Sequence, residues 1–315
     1  MKLSPPYAPL FILTMVLGTL LSISSSNWIS VWVALEINLM SFIPLMMMNK
    51  SNQFVEASIK YFIIQAIGSI LILISAIMNL PILMMALMLK MGAAPLHMWF
   101  PSIVSALPWS SIALLSTWQK VAPLLLLLAS FHFSTDLALM LGTLGAWVGA
   151  TGAMNQTKIK PLMAFSSISN TGWMIALIQW QFISFMVFII YCINSLPLMI
   201  SMNSTSFNMS KQMKSKLANK SLMCIFLISL ASFPMTPGFM SKWIALNTLM
   251  DPYLSWLIPL ILLISALPMM YMYMNIMLMM GLSQDDISKT NNFCISFIAP
   301  ILIALTLIFL ISFFI

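Results

Sequence analysis

Four ionisable side chains stand out because long runs of apolar residues surround them. They are Glu36, Lys90, Lys120 and Lys242, and Glu36 lies near the middle of WVALEINLMSF. Burial in an apolar medium disfavours the charged forms of carboxylates and amines alike, so a chain of such groups can exchange protons near neutral pH. Lysine suits this exchange better than arginine, because a guanidinium stays charged in proteins. These residue types therefore favour proton relay, which needs no metal and no nucleophile.

Helix-breaking residues accompany two of these lysines. Gly92 and Pro95 follow Lys90 in LMLKMGAAPLHMWFPS. In ASFPMTPGFMSKW, three such residues precede Lys242, namely Pro234, Pro237 and Gly238. Proline removes a backbone donor, and a bilayer tolerates the break only where the freed groups face protein or water. A broken helix beside an ionisable residue is typical of transporters, and a simple proline kink is the alternative interpretation.

Other ionisable residues have less specific interpretations. His97 lies two residues after Pro95 and is a candidate for lining a proton path from Lys90. A hydrogen bond to a carbonyl that the break frees explains His97 equally well. A lysine near a helix end can also extend to the lipid headgroups. That explanation fits Lys60, is open for Lys242 and fits Lys120 poorly.

Composition excludes a soluble enzyme and a disordered chain. The chain has 315 residues, of which 61% are hydrophobic and 6% charged, and its mean hydropathy is +1.03. Soluble domains carry about 25% charged residues, and disordered chains need low hydrophobicity. The net charge of +7 comes from lysines scattered between apolar runs, without the basic stripe of a nucleic-acid-binding surface. The three cysteines lack metal-ligand spacing and are interpreted as apolar packing residues.

The apolar runs predict an all-α, polytopic membrane protein, a single transmembrane domain over residues 1–315. A spanning helix needs about 20 apolar residues. The N-terminal run lacks a small-x-small cleavage site, so we expect it to remain as the first helix. About eleven spans result, at 7–25, 28–48, 57–79, 80–105, 110–130, 136–154, 162–180, 182–203, 221–250, 254–281 and 293–315.

The broken spans are the fourth and the ninth, five spans apart. A five-span unit repeated in tandem inserts with inverted topology, because five is odd. We therefore expect two inverted pseudo-repeats, at about 7–130 and 136–281, followed by an extra helix at about 293–315. Inverted repeats with broken helices recur in transporters.

Lysine placement predicts the orientation of the chain. Short loops rich in lysine stay on the inner side of a membrane. The loops near 26, 79, 133, 181 and 252 carry no lysine, and they all fall on the opposite face. The N-terminus is therefore expected inside and the C-terminus outside. The loop lysines share one face and are Lys2, Lys50, Lys158, Lys160, Lys211, Lys214, Lys216, Lys220 and Lys289.

Six blocks of sequence, taken in chain order, closely resemble one family. The resemblance runs from about residue 18 to 245, roughly seven-tenths of the chain, and its blocks read WVALEINLMSFIP, EASIKYFIIQAIGS, LKMGAAPLHMWFP, LLSTWQKVAP, NQTKIKPLMAFSSISNTGW and PMTPGFMSKW. The family is that of the antiporter-like membrane subunits of mitochondrial NADH:ubiquinone oxidoreductase (respiratory complex I), and within it the blocks are similar to chain 2. Six ordered blocks are far more specific than any one motif.

The resemblance implies a location and partners. It implies the mitochondrial inner membrane with the inner face toward the matrix. The expected partners are other membrane-arm subunits, including neighbouring antiporter-like chains, and membrane lipids, with no nucleic acid. It also implies that NADH, FMN, iron–sulfur clusters and ubiquinone belong to other subunits, so that this chain holds no cofactor. In this family, the positions that Glu36, Lys90, Lys120 and Lys242 occupy are thought to form a hydrophilic axis for proton translocation.

Departures from the family and two alternatives remain. Pro161 stands where the family usually has a second basic residue, and Asn170 stands where it often has a histidine. A free-standing cation/proton antiporter of the same fold would need oxygen ligands for its ion, and Glu36 is the only carboxylate that the predicted spans place near mid-membrane. A non-pumping helix bundle would tolerate neutral substitution of all four ionisable residues.

Overall fold

The chain is described by a computed structural model over residues 7–48, 51–78, 82–130, 135–204, 217–234, 236–250 and 256–282. Throughout these residues the regular structure is helical. The chain divides into two compact units, Met1–Thr135 and Asp136–Ile315. The predicted span at 293–315 lies outside the described residues.

Thirteen helices occupy the described residues, seven of them in the first unit. In chain order these seven are α1 (Ala8–Ser24), α2 (Trp28–Met46), α3 (Asn52–Met78), α4 (Ile82–Met91), α5 (Trp99–Ala106), α6 (Trp109–Ser116) and α7 (Trp118–Ala129). The remaining six are α8 (Thr135–Met154), α9 (Ile159–Ala176), α10 (Gln181–Ser204), α11 (Leu217–Leu230), α12 (Pro237–Leu249) and α13 (Leu257–Leu282).

Six helical segments within the described residues are long and apolar enough to cross a membrane, by length and composition. They are Trp28–Met46, Asn52–Met78, Trp109–Ala129, Asp136–Met154, Gln181–Asn203 and Leu257–Met277. The all-helical membrane architecture predicted from the apolar runs is therefore confirmed. The count of eleven spans and the inverted repeat stay predictions.

Small residues let neighbouring helices approach closely. In the first unit, Gly18 of α1 faces α2, where an added Cβ would lie 3.1 Å from the carbonyl oxygen of Ala34. In the second unit, a Cβ on Gly149 of α8 would lie 2.5 Å from the backbone nitrogen of Ser169 on α9. Close backbone contact through small residues is the usual basis of helix packing in membranes, where apolar burial supplies no driving force between helices.

The fourth predicted span is divided after Met91. Gly92 adopts a φ of +70°, and its N–H donates to the carbonyl oxygen of Leu89 at 3.1 Å. The N–H of Ala93 donates to the carbonyl oxygen of Met88 at 3.0 Å. These two bonds form a Schellman cap, in which glycine takes the left-handed position without a Cβ penalty. The chain then continues without regular structure, through a cis Ala94–Pro95 bond, until α5 begins at Trp99.

The ninth predicted span is divided in the same way between α11 and α12. The N–H groups of Ser232 and Phe233 donate to the carbonyl oxygens of Ser229 (3.1 Å) and Ile228 (3.3 Å). Here the left-handed position is taken by Ser232, with a φ of +60°. The helix α12 then begins at Pro237. Proline suits the first helical position because an N–H at that position would have no intrahelical acceptor.

The fifth predicted span, 110–130, contains a turn that the sequence pattern does not predict. Thr117 separates α6 from α7, and its hydroxyl donates to the carbonyl oxygen of Ala113 at 2.7 Å. The N–H of Lys120 donates to the carbonyl oxygen of Thr117 at 3.1 Å, three residues back rather than four. The turn therefore tightens the backbone immediately before Lys120.

Candidate functional site

Lys90 is buried at the end of α4, directly before the Schellman cap. It is only 6% exposed. Its aliphatic chain lies against α3 at Gly68, where an added Cβ would come within 3.1 Å of the Lys90 Cγ. The carbonyl oxygen of Lys90, which the end of the helix leaves without an intrahelical donor, accepts a hydrogen bond of 3.2 Å from the Gln65 side chain. The helix α3 thus supports both the backbone and the side chain of Lys90.

Glu36 on α2 interacts electrostatically with Lys90. The Glu36 side chain is partly exposed, whereas Lys90 is buried. The structure therefore places two of the four residues predicted from the sequence within electrostatic range of each other.

A polar cavity lies beside Lys90 in the first unit. Its volume is about 10 Å³, room for about one water molecule. The polar side chains that line it with Lys90 belong to four residues, Asn38, Tyr61, Gln65 and Gln119. Apolar side chains complete the lining, from Leu35, Leu39 and Pro123. Polar side chains around a cavity of this kind are the surroundings in which buried water is held.

Neutral side chains from three helices form a hydrogen-bonded chain in this cavity. The Gln119 side chain of α7 donates to the Asn38 side-chain oxygen of α2 at 3.1 Å. The Tyr61 hydroxyl of α3 donates to the Gln119 side-chain oxygen at 3.4 Å. All three residues are buried. A buried polar group is costly unless it is hydrogen-bonded, so this chain stabilises a polar interior among apolar helices.

Lys120 follows Gln119 on α7 and is 2% exposed. Its Nζ atom lies 4.9 Å from the centroid of the Phe100 ring. Phe100 belongs to α5, which begins directly after the break. Lys90, Glu36 and Lys120 thus lie in the same unit, and the break contributes to the surroundings of both lysines.

His97 lies within the break and is buried. Its Nδ1 atom is 3.1 Å from the carbonyl oxygen of Pro95. A carbonyl oxygen only accepts, so Nδ1 carries the proton in this hydrogen bond. Of the two interpretations that the sequence left open, the carbonyl bond is present in the structure.

Lys242 lies on α12 in the second unit, half-buried. Its Nζ atom lies 5.8 Å from the centroid of the Trp173 ring on α9. At the start of α12, Gly238 packs so closely on α11 that an added Cβ would overlap the carbonyl oxygen of Ser229. The glycine therefore fixes how α12, and Lys242 with it, meets the end of α11.

A second polar cavity adjoins this break, with a volume of about 20 Å³. Its polar lining consists of Asn170, Tyr191, Asn194, Ser229, Ser232 and Ser241. These side chains carry hydroxyl and amide groups, and none is a carboxylate or an amine. Asn170 lines this cavity, and its side chain donates to the Ser166 carbonyl oxygen at 3.0 Å.

Apart from Asn170, sequence reasoning did not find the neutral polar residues that line the two cavities. Gln119 directly precedes Lys120, and Asn38 lies two residues after Glu36, so proximity to the ionisable residues was the available signal.

No group of three or more histidine, cysteine or acidic side chains that could hold a metal ion occurs in the described residues.

Comparison with protein families gives a match over most of the chain. The model of the NADH:quinone oxidoreductase/Mrp antiporter transmembrane family matches residues 25–80 and 75–267. These ranges include Glu36, Lys90, Lys120 and Lys242 and both breaks.

Individual relatives agree with this match. NADH-ubiquinone oxidoreductase chain 2 from Lumbricus terrestris is 37% identical over 87% of this chain and 86% of its own length. The chain 2 protein from Locusta migratoria is 35% identical, over 85% of this chain and 83% of its own. A chain of respiratory complex I from Thermus thermophilus superimposes with a TM-score of 0.81 at 19% identity, and the match covers 98% of this chain and 79% of that chain.

Proposed function

Because the chain belongs to the NADH:quinone oxidoreductase/Mrp antiporter family and to its chain 2 branch, we propose that it is a proton-translocating membrane subunit of a respiratory complex I. In this proposal Glu36, Lys90, Lys120 and Lys242 carry the protons. The observation that carries the proposal is the burial of Lys90 and Lys120 in one helical unit with a broken helix, where Lys90 lines a polar cavity.

Proton transfer begins, in this proposal, with the charge state of Glu36. In this proposal a charged Glu36 favours the ammonium form of Lys90, so protonation of Glu36 releases Lys90 to give up its proton. Each change of charge along the buried residues thus alters the proton affinity of the next residue.

The cavity supplies the medium for the transfer. Water held by Asn38, Tyr61 and Gln119 would connect Lys90 with the interior of the unit, since neutral side chains orient water without retaining a proton. In this proposal Lys120, which follows Gln119 in the chain, receives the proton. His97 contributes a second exchange position at Nε2, because its Nδ1 proton is engaged with the Pro95 carbonyl oxygen. Lys242 performs the corresponding exchange in the second unit.

The broken helices have a permissive role. Each break ends in hydrogen-bonded carbonyl oxygens rather than in exposed ones, which a bilayer requires. In this proposal Gly92 and Pro95 hold open the first polar region, and Pro234, Pro237 and Gly238 hold open the second. The fourth and ninth helices of the eleven predicted spans are then discontinuous, one in each of the pseudo-repeats predicted at about 7–130 and 136–281.

The proposal also includes a setting for the activity. The protein would lie in the mitochondrial inner membrane with its N-terminus in the matrix and its C-terminus in the intermembrane space, beside other membrane-arm subunits. Electron transfer from NADH through FMN and iron–sulfur clusters to ubiquinone would take place in other subunits. This chain would respond to that reaction through changes of charge along its buried residues.

Lys120→Ala tests the proposal. We expect proton pumping per NADH oxidised to fall at least about tenfold, while the amount of assembled complex stays within about twofold. The pumping is measured with purified complex in sealed proteoliposomes. Lys60→Ala is the matched control, since Lys60 is an exposed lysine that pairs with Glu56 at 2.6 Å on the surface of α3. If Lys120→Ala loses pumping and assembly equally, Lys120 has a structural role rather than a role in proton transfer.

The family name also includes antiporters, so exchange of a metal cation for protons is the second candidate. It predicts cation-dependent proton movement in vesicles without NADH. Such movement, abolished by Glu36→Gln, would favour the antiporter over the redox-driven pump.

A further inference from the structure

A lysine ammonium faces a buried aromatic ring in each of the two units. The Lys120 Nζ atom lies 4.9 Å from the Phe100 ring centroid, and the Lys242 Nζ atom lies 5.8 Å from the Trp173 ring centroid. Phe100 is 1% exposed and Trp173 is 2% exposed. A cation within about 6 Å of a ring centroid is attracted by the ring face, more strongly where water is excluded.

The first break holds the Phe100 ring in place. A Cβ added to Gly92 would lie 3.0 Å from both Cβ and Cδ2 of Phe100, so the glycine backbone forms a wall of the ring's site. Trp99 packs edge-on against the ring, with centroids 5.5 Å apart. The orientation of the ring toward Lys120 is therefore a consequence of the Schellman cap.

The second ring is held by close helix packing. Gly172, the residue before Trp173, contacts α8 so closely that an added Cβ would overlap the backbone nitrogen of Ala146. This contact fixes α9 at the position from which Trp173 reaches Lys242. The two rings come from different structural elements, yet each faces a lysine that the proposed function uses.

We propose that Phe100 and Trp173 are positioning residues that stabilise the protonated forms of Lys120 and Lys242 without being able to accept the proton. A carboxylate partner would also stabilise an ammonium, but it can take the proton itself and end the transfer. An aromatic ring has no such site, so it stabilises the ammonium without competing for the proton. This inference rests on the proposed function.

The test compares loss of the ring with its retention. Phe100→Leu removes the ring face, and Phe100→Tyr keeps it. A cation–π contact in a desolvated site changes the ratio of protonated to neutral lysine by about ten- to thirtyfold. We expect Phe100→Leu to lower pumping per NADH oxidised by about tenfold and Phe100→Tyr to retain it within about twofold. Trp173→Leu and Trp173→Phe form the same comparison for Lys242.

Phe188→Leu is the matched control, because Phe188 on α10 is equally buried at 4% exposure. Equal pumping per assembled complex in Phe100→Leu and Phe188→Leu would overturn the inference, and so would an equal loss in Phe100→Leu and Phe100→Tyr. Lys120→Ala separates the two proposals. If Lys120→Ala pumps normally, the proposed function of Lys120 fails. If it does not pump but Phe100→Leu does, only the role of the ring fails.

Discussion

The position of Lys90 depends on the missing side chain of Gly68. A Cβ at residue 68 would lie 3.1 Å from Lys90 Cγ and 3.0 Å from Leu89 Cδ2. Both separations are closer than side chains normally pack, so a neighbour must move. Gly68→Ala is expected to lower pumping per assembled complex about threefold, and Gly68→Val at least about tenfold, because Val adds two more atoms near the lysine.

The double variant Gly68→Ala/Leu89→Ala identifies which neighbour matters. Shortening Leu89 removes the contact with its Cδ2 atom and leaves the contact with the Lys90 stem. We expect the threefold loss to persist in proteoliposomes that contain the double variant. Recovery of wild-type pumping in the double variant would show that Gly68→Ala acts through Leu89 and that its contact with Lys90 does not affect pumping. Leu89→Ala alone provides the reference.

The residues of the site were predictable only where their signal is local. Lys90 and Lys120 are conspicuous because charge is rare in apolar runs, and the sequence alone indicates them. Gln119 gave no such signal, since a single glutamine in a membrane helix is unremarkable. Its importance depends on Tyr61 and Asn38, which lie 58 and 81 residues away in the chain. Contacts of that separation depend on how helices pack, and hydrophobic periodicity does not encode them.

Helix ends, too, were predictable only where the residue at the end carries a local signal. Gly92 predicts the helix cap at the end of α4, because glycine is the usual residue in the left-handed position. The second cap uses Ser232 instead, and the sequence pointed to Pro234, Pro237 and Gly238, which follow it. The turn at Thr117 carries no breaker at all, and its side chain bonds the Ala113 carbonyl oxygen. A threonine can make that bond in many helices, so its residue type does not reveal the turn.

The two caps differ in what they tolerate. Gly92 has a φ of +70° and abuts Phe100, so Gly92→Val places a β-branched residue in a region that such residues avoid. We expect the amount of assembled complex to fall at least about tenfold. Ser232→Gly relieves a left-handed conformation that costs a non-glycine residue about 1–2 kcal/mol, so assembly is expected at or above the wild-type level. Blue-native gels of solubilised membranes measure both.

An equal loss of assembly in Ser232→Gly would contradict this account of the second cap. It would mean that the Ser232 side chain, which lines the cavity of the second unit, contributes more than the backbone strain costs. Ser232→Ala separates the two effects, because it removes the hydroxyl and keeps the Cβ. Loss in both variants would assign the effect to the hydroxyl.

At the scale of the whole molecule, the composition identifies a membrane protein, whereas the broken helices make its membrane spans difficult to count. Hydrophobic content alone predicts a membrane protein, because 6% charged residues cannot solvate a chain of this length. Counting spans needs uninterrupted helices. The pair α4 and α5 shares one predicted span, yet α4 has 10 residues and α5 has 8, and neither is long enough to cross a bilayer alone. Breaks of this kind thus remove the uninterrupted helix on which span counting relies.

The assembly state discriminates between the redox-driven pump and the free-standing antiporter. A subunit of respiratory complex I must migrate with the NADH-oxidising assembly, because it has no electron-transfer chemistry of its own in this proposal. We therefore expect mild solubilisation and a native gel to place the chain in one very large band that reduces a tetrazolium dye with NADH. Migration alone, or with a few similar chains and without NADH-dependent staining, would contradict the redox coupling while leaving the buried lysines as exchange sites. The Lys120→Ala variant is analysed on the same gel. If its complex migrates and stains normally but no longer pumps protons, the defect lies in proton transfer.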